Sequence, residues 1–237
     1  LFAVLPQLPG NLSSGFSVQL GCGGGSSESK VIVGLTPAIR SRVTSWVKME
    51  AAPNSPPFPG SNRPTFKQAV LNGHFSLTRG SDTFDFTVPA ILDTGGGTTN
   101  IHQNAKDLVV PDAFLDKPGV PSRVASGVQF RVAAPGTTPS NGFDLSFAAG
   151  TTPTIDLVET SEKGGMAEVN LALIPFFRYD VVFDVANGNV GFAPCSQATV
   201  APSSTQPIPT LSSWAMALLA AGMALFGALA FGRRGRG

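Results

Sequence analysis

An all-β body is predicted by three observations. Short runs of alternating apolar and polar residues recur along the first 195 positions, separated by turn residues. Gly (27) and Pro (20) make up about a fifth of the 237 residues, against roughly 12% in average usage, which favours turns over long helices. Seventeen Phe against one Tyr and two Trp suit the packed faces of strands. With 42% hydrophobic and 13% charged residues, the chain is apolar enough and long enough to bury a sizeable core.

The elements follow in order. Residues 16–20 (FSVQL) and 30–35 (KVIVGL) read as strands around the turn segment GCGGGSSES. That glycine cluster has Ser26 where a dinucleotide fingerprint needs its third Gly, and no helical pattern follows, so it reads as a hairpin loop. Residues 42–49 have mixed β character, and 53–64 (PNSPPFPGSNRP) form a loop. Residues 66–78 alternate, with Phe75 and Leu77 on one face and His74, Ser76 and Thr78 on the other. Phe84, Phe86 and Val88 alternate with Asp85 and Thr87, and Pro89 is expected to break this run before Ala90, Ile91 and Leu92. A glycine turn at 95–97 precedes a short helix expected within 104–116. Further strands are expected at 128–133, 143–148, 154–159 and 167–173. Residues 176–185 and 189–193 close the body, joined by a hairpin turn at Ala186, Asn187 and Gly188.

Charge and ligand chemistry exclude several classes. The net charge is +1, and Arg233, Arg234 and Arg236 sit together at the C-terminal end, so the remainder is slightly acidic. A nearly neutral body without a basic stripe argues against nucleic-acid binding. Two cysteines, Cys22 and Cys195, are too few for a disulfide scaffold or a four-thiolate zinc site. His74 and His102 have no Cys or carboxylate cluster around them, so no metal site and no cofactor is expected. No Gly-x-Ser-x-Gly elbow is present, which argues against a serine hydrolase of that type.

The tail carries an address. Residues 214–232 (WAMALLAAGMALFGALAFG) hold no charge and would span about 28 Å as a helix, close to the thickness of a bilayer's hydrocarbon core. GRRGRG follows, so this transmembrane helix is expected to keep its arginines in the cytoplasm and the body outside. A core helix is the alternative, and the Pro/Ser/Thr-rich run 196–207 before it favours a linker and an anchor. The segment Ile208, Pro209, Thr210, Leu211, Ser212, Ser213, Trp214, then an apolar helix, then an Arg cluster, resembles the IPTL-CTERM sorting signal of Gram-negative bacteria. Ser213 stands where that family usually has an acid. The resemblance implies export, anchoring in the inner membrane, and processing by an exosortase-like enzyme that recognises Ile208, Pro209, Thr210 and Leu211, with release to the envelope or surface afterwards. Residues 208–237 then form a processing element outside the fold. The opening residues read as the interior of folded sequence, so an N-terminal portion is expected to precede them.

One constellation carries chemistry. Ala90, Ile91, Leu92, Asp93, Thr94 and Gly95 set an Asp directly after a buried strand, on a glycine turn. Alone, such a carboxylate reads equally as the cap of its own Asx-turn. Eighty residues later the chain reads PFFRYDVVFDVANGNVGFAPC. A hydrophobic pair, Phe-Asp, a short hairpin and Val-Gly-Phe-Ala-Pro resemble the last two strands of pepsin-like aspartic peptidases. Residues 16–20 and 30–35 resemble the strand leaving that family's first lobe and its hairpin partner. The resemblance covers most of residues 1–195. It implies 1–36 as the end of the first lobe with inter-lobe strands, 37–195 as the second lobe, 196–207 as linker and 208–237 as sorting signal.

That resemblance implies an endopeptidase acting on a peptide or protein, with Asp93, Thr94, Gly95 and Thr98 as its site residues in this chain. Two carboxylates held close together cannot both ionise easily, so they share a proton, one activating water while the other donates to the carbonyl. Asp93 is the one Asp here followed by Thr/Ser and Gly, so half of such a dyad is present. The family follows Asp-Thr-Gly with a hydroxyl residue bonded to the carboxylate, but Gly96 and Gly97 intervene before Thr98 and Thr99. If the loop bulges by two residues, Thr98 takes that role. Asn170, Leu171 and Ala172 fall where the family has a hydrophobic-hydrophobic-Gly segment behind the loop, and a Cβ at Ala172 is expected to crowd it. Three readings stand: an endopeptidase with its other lobe elsewhere, a silent pepsin-like binding module, or a single lobe that builds its dyad by homodimerising. Cys22 and Cys195 end strands that the family places in one sheet, which in an oxidising compartment allows a disulfide or two separate thiols.

Overall fold

The computed structural model describes residues 5, 8–21, 29–52, 56–57, 65–68, 70–104, 106–136, 142–150, 156–162 and 164–195. The chain divides into units Leu1–Ala198 and Thr199–Gly237, and the second lies wholly outside the described residues. The body is mostly β-sheet, with few helices, as the alternation predicts.

Its strands are β1 (Phe16–Gln19), β2 (Lys30–Val33), β3 (Ser45–Lys48), β4 (Leu71–Arg79), β5 (Asp82–Ile91), β6 (Thr99–Gln103) and β7 (Ser122–Arg123). They continue with β8 (Gln129–Ala134), β9 (Phe143–Ala148), β10 (Val158–Glu162), β11 (Glu168–Asn170), β12 (Tyr179–Asp184) and β13 (Asn189–Pro194). Two one-turn helices, α1 (Pro37–Ser41) and α2 (Ile174–Arg178), interrupt them.

Five strands form one sheet in the order β2-β1-β12-β13-β3. It gathers both ends of the body: Phe16 pairs with Phe183, and their rings stack 4.7 Å apart. α1 is clamped to it. Thr36 caps the helix through Oγ1, Pro37 starts it with a φ already suited to a first turn, and Arg40 pairs with the buried Asp184. Arg42 reaches the buried Asp180 at 2.5 Å.

The other eight strands run in the order β7-β10-β6-β11-β5-β4-β8-β9 and curl into a half-barrel. The long hairpin β4–β5 is its spine. Alternate residues of β4 are buried, so Phe75 and Leu77 enter the core while His74 stays exposed. Phe75 stacks on Phe86 (5.2 Å between centroids) and meets Phe130 (5.9 Å), which meets Phe147 (5.0 Å). Phe143 of β9 stacks on Phe192 of β13 at 4.0 Å and so joins the two sheets.

Several expectations are corrected. Pro89 does not break β5: it pairs opposite Asn72, and β11 on the far side reaches only Ala90 and Ile91, so the missing N–H falls at the end of a ladder. The helix expected within 104–116 reduces to a single 3-10 turn at Asp112–Phe114. Residues 176–178 are helical, because Pro175 starts α2, and the strand begins at Tyr179. The strand expected at 154–159 is β10, displaced to Val158–Glu162. The expected loop 53–64 and the glycine cluster fall largely outside the described residues, as do the linker 196–207 and the sorting segment 208–237. Among the described residues no helix is long and apolar enough to cross a membrane, and 214–232 lies outside them. Cys195 is disulfide-bonded, and Cys22, the only other cysteine of the chain, lies outside the described residues.

Candidate functional site

The Asp93 loop connects β5 to β6, but those strands are not neighbours. β11 lies between them, parallel to β5 and antiparallel to β6. The chain leaving β11 therefore passes beneath the loop, tied by Leu171 N–H to Ile91 O (2.9 Å) and by the Thr99 hydroxyl to Leu171 O (3.3 Å).

Asp93 is half-buried and both its carboxylate oxygens accept hydrogen bonds. Gly95 N–H donates to Oδ1 at 2.8 Å, the Asx-turn that a short acidic loop residue makes on itself. Asn170 Nδ2 donates to Oδ2 at 3.0 Å from a position 77 residues away. Thr94 and Gly95 are exposed at the tip of the loop.

Thr98 does not fill the role expected of it. Its hydroxyl donates to Glu159 Oε2 at 3.3 Å, toward β10. Glu159 in turn lies 3.4 Å from Arg123 Nε.

The expected crowding at Ala172 is relieved by Gly96. Ala172 has φ of 50°, the one positive φ on a non-glycine residue among the described residues, a conformation that costs about 1–2 kcal/mol. A Cβ built on Gly96 would stand 2.9 Å from the Ala172 Cβ. Gly96 has none, so the methyl fits. Gly96 and Ala172 thus fit against each other across the loop.

A cavity of about 430 Å³ is lined by Asn100, Asp116, Lys117, Ser122, Arg123 and Glu159 among others, and Glu159 links it to Thr98. The Ser122 hydroxyl (2.8 Å) and then the Arg123 backbone N–H (3.2 Å) hold the Asp116 carboxyl below its ordinary range. Ser161 donates to Asn100 Oδ1 (2.8 Å) and touches His102 Nδ1 (2.9 Å). Sequence reasoning missed Asn170, Glu159 and this polar face. The only signal was that Asn170 is polar where the pattern behind the loop is apolar. Among the described residues no cluster of three or more His, Cys, Asp or Glu could hold a metal ion.

The C-terminal segment carries a signal that implies an exported protein anchored at the cell envelope. The signal is the IPTL-CTERM motif, whose family matches residues 206–235 and implies processing by an exosortase-like enzyme. No curated protein matches the chain.

Proposed function

We propose that the body is the second lobe of a pepsin-like aspartic endopeptidase, with Asp93 as one member of its carboxylate dyad. The observation that carries this reading is the presentation of Asp93: a half-buried carboxylate on a glycine loop, one oxygen held by Gly95 and the other by Asn170, above an interleaved strand. The sheet that joins residues 16–19 and 30–33 to 179–184 and 189–194 supports it, since these are the segments that resemble the family's inter-lobe strands.

In this reading the second carboxylate comes from outside residues 1–237. With the two brought close, one proton is shared, the ionised oxygen takes a proton from the attacking water, and the protonated partner donates to the scissile carbonyl. Thr94 and Gly95, exposed at the tip, face the incoming peptide. Residues 1–237 as a monomer are expected to show no peptidase activity. The full gene product is expected to cleave a denatured protein at acid pH and to be blocked by a statine-type inhibitor. Activity of the monomeric 1–237 chain under those conditions overturns the incomplete-dyad reading, and an inert full product overturns the peptidase.

A second reading, a silent pepsin-like module that binds peptides, is favoured by the engagement of Thr98 with Glu159 away from Asp93. It predicts capture of the statine-type peptide without turnover.

The tail adds a prediction of its own. We propose that 214–232 spans the inner membrane with Arg233, Arg234 and Arg236 on the cytoplasmic side. Deleting residues 208–237 is expected to move the protein from the membrane fraction to the soluble fraction with its melting temperature unchanged. A truncated chain that unfolds shows instead that the helix belongs to the core.

A further inference from the structure

The Asp93 carboxylate has one side-chain donor in the structure, and it is not on its own loop. Asn170 Nδ2 reaches Oδ2 at 3.0 Å. The orientation of that amide is settled by its other end, because Asn170 Oδ1 accepts the Ala172 N–H at 2.8 Å and an amide nitrogen there would face a donor. The backbone beneath is fixed on both sides: Asn170 pairs with Ile91 of β5 and with Asn100 of β6. Thr98, the residue that the resemblance nominated, is occupied by Glu159, and Glu159 by Arg123.

We infer that Asn170 is the positioning residue for Asp93, holding its carboxylate in place of a loop hydroxyl; this rests on the reading of Asp93 as half of a dyad. A hydroxyl can both donate and accept, whereas an amide N–H only donates, so Oδ2 is held as an acceptor. Gly96 completes the device. Asn170 is held by the Ala172 N–H, and the bare Gly96 leaves room for the Ala172 methyl beside the loop.

The test uses the full gene product. Asn170→Leu removes a hydrogen bond to a charged group, so kcat is expected to fall about 10- to 100-fold with KM within about 2-fold. Thr98→Val is expected to keep kcat within about 3-fold, because its hydroxyl does not reach Asp93. Wild-type kcat in Asn170→Leu, or the full loss in Thr98→Val, overturns the inference. A second measurement does not depend on activity or on how well Asn170→Leu folds. In the ¹H–¹⁵N spectrum, the Asn170 side-chain amide is expected to move and to exchange faster in Asp93→Ala and to stay in place in Thr98→Val. An Asn170 amide unmoved by Asp93→Ala overturns the positioning role. An inactive wild-type product with a responsive amide overturns the peptidase reading and leaves the grip on Asp93 intact.

Discussion

Asp93→Asn in the full gene product is expected to lower peptide cleavage by roughly 10⁴-fold while leaving the fold intact, as measured by turnover and by thermal melting side by side. The two halves of that result have separate causes. An amide at 93 cannot exchange the proton that a dyad shares, so the chemical step is lost. Its carbonyl oxygen can still accept from Gly95 N–H, now 2.8 Å from Oδ1, but its NH2 then faces the Asn170 Nδ2 donor, so stability is expected to fall by about 1–3 kcal/mol without loss of the fold. Turnover at the wild-type rate would make the Asp-Thr-Gly loop a structural turn, and collapse of the fold would make Asp93 part of the framework.

Gly15→Ala is expected to be the most damaging single methyl in the described body. Gly15 has φ of 152°, and a Cβ there would lie 2.0 Å from the backbone oxygen of Phe183 and 2.9 Å from Leu35 Cδ1. The nearer neighbour is backbone, since Phe183 is in β12, the Leu35 side chain is buried, and Gly15 itself accepts from Gly34 N–H at 2.8 Å. The backbones of β1 and β12 must separate, and stability is expected to fall by about 4 kcal/mol or more, a large part of the roughly 5–15 kcal/mol of a typical domain. Urea denaturation of Gly15→Ala against Gly97→Ala measures it. Nothing lies within 4 Å of a Cβ at Gly97, so that control is expected to stay within about 0.5 kcal/mol of wild type. Equal midpoints for the two would mean that β1 and β12 do not pair as described.

What the sequence made legible follows the strength of local alternation. β9 was placed to the residue, because Phe143, Leu145 and Phe147 alternate with Asp144 and Ser146. The alternating runs that become β4 and β5 were legible for the same reason, although their pairing as a hairpin was not read. β6 (Thr99–Gln103) was not, because its buried face carries Thr99 and Gln103 beside Ile101, and polar inward residues erase the period-two signal. Gln103 tolerates burial only because its Oε1 accepts Val110 N–H at 2.6 Å, a contact no pattern announces. The one-turn helices were too short to show a helical period. At the site, the position of Asp93 was legible and its partners were not. Asn170 and Glu159 reach the loop across 77 and 61 residues, through a strand order in which β11 separates β5 from β6. The resemblance nominated Thr98, and tertiary placement gave the contact to Asn170.

Anchorage at the envelope turns the body into a tethered load. Tension on the tail enters the fold at Cys195, one residue beyond β13. β13 is an inner strand, hydrogen-bonded to β12 on one side and β3 on the other, and a pull along it would shear or peel ladder bonds worth only about 1 kcal/mol each. Because Cys195 is disulfide-bonded, the force meets a covalent link before it meets the first of those bonds. Reduction of that bridge is expected to lower the force at which β13 peels from the sheet when the chain is pulled from its C-terminal end, as measured by single-molecule stretching with and without reductant.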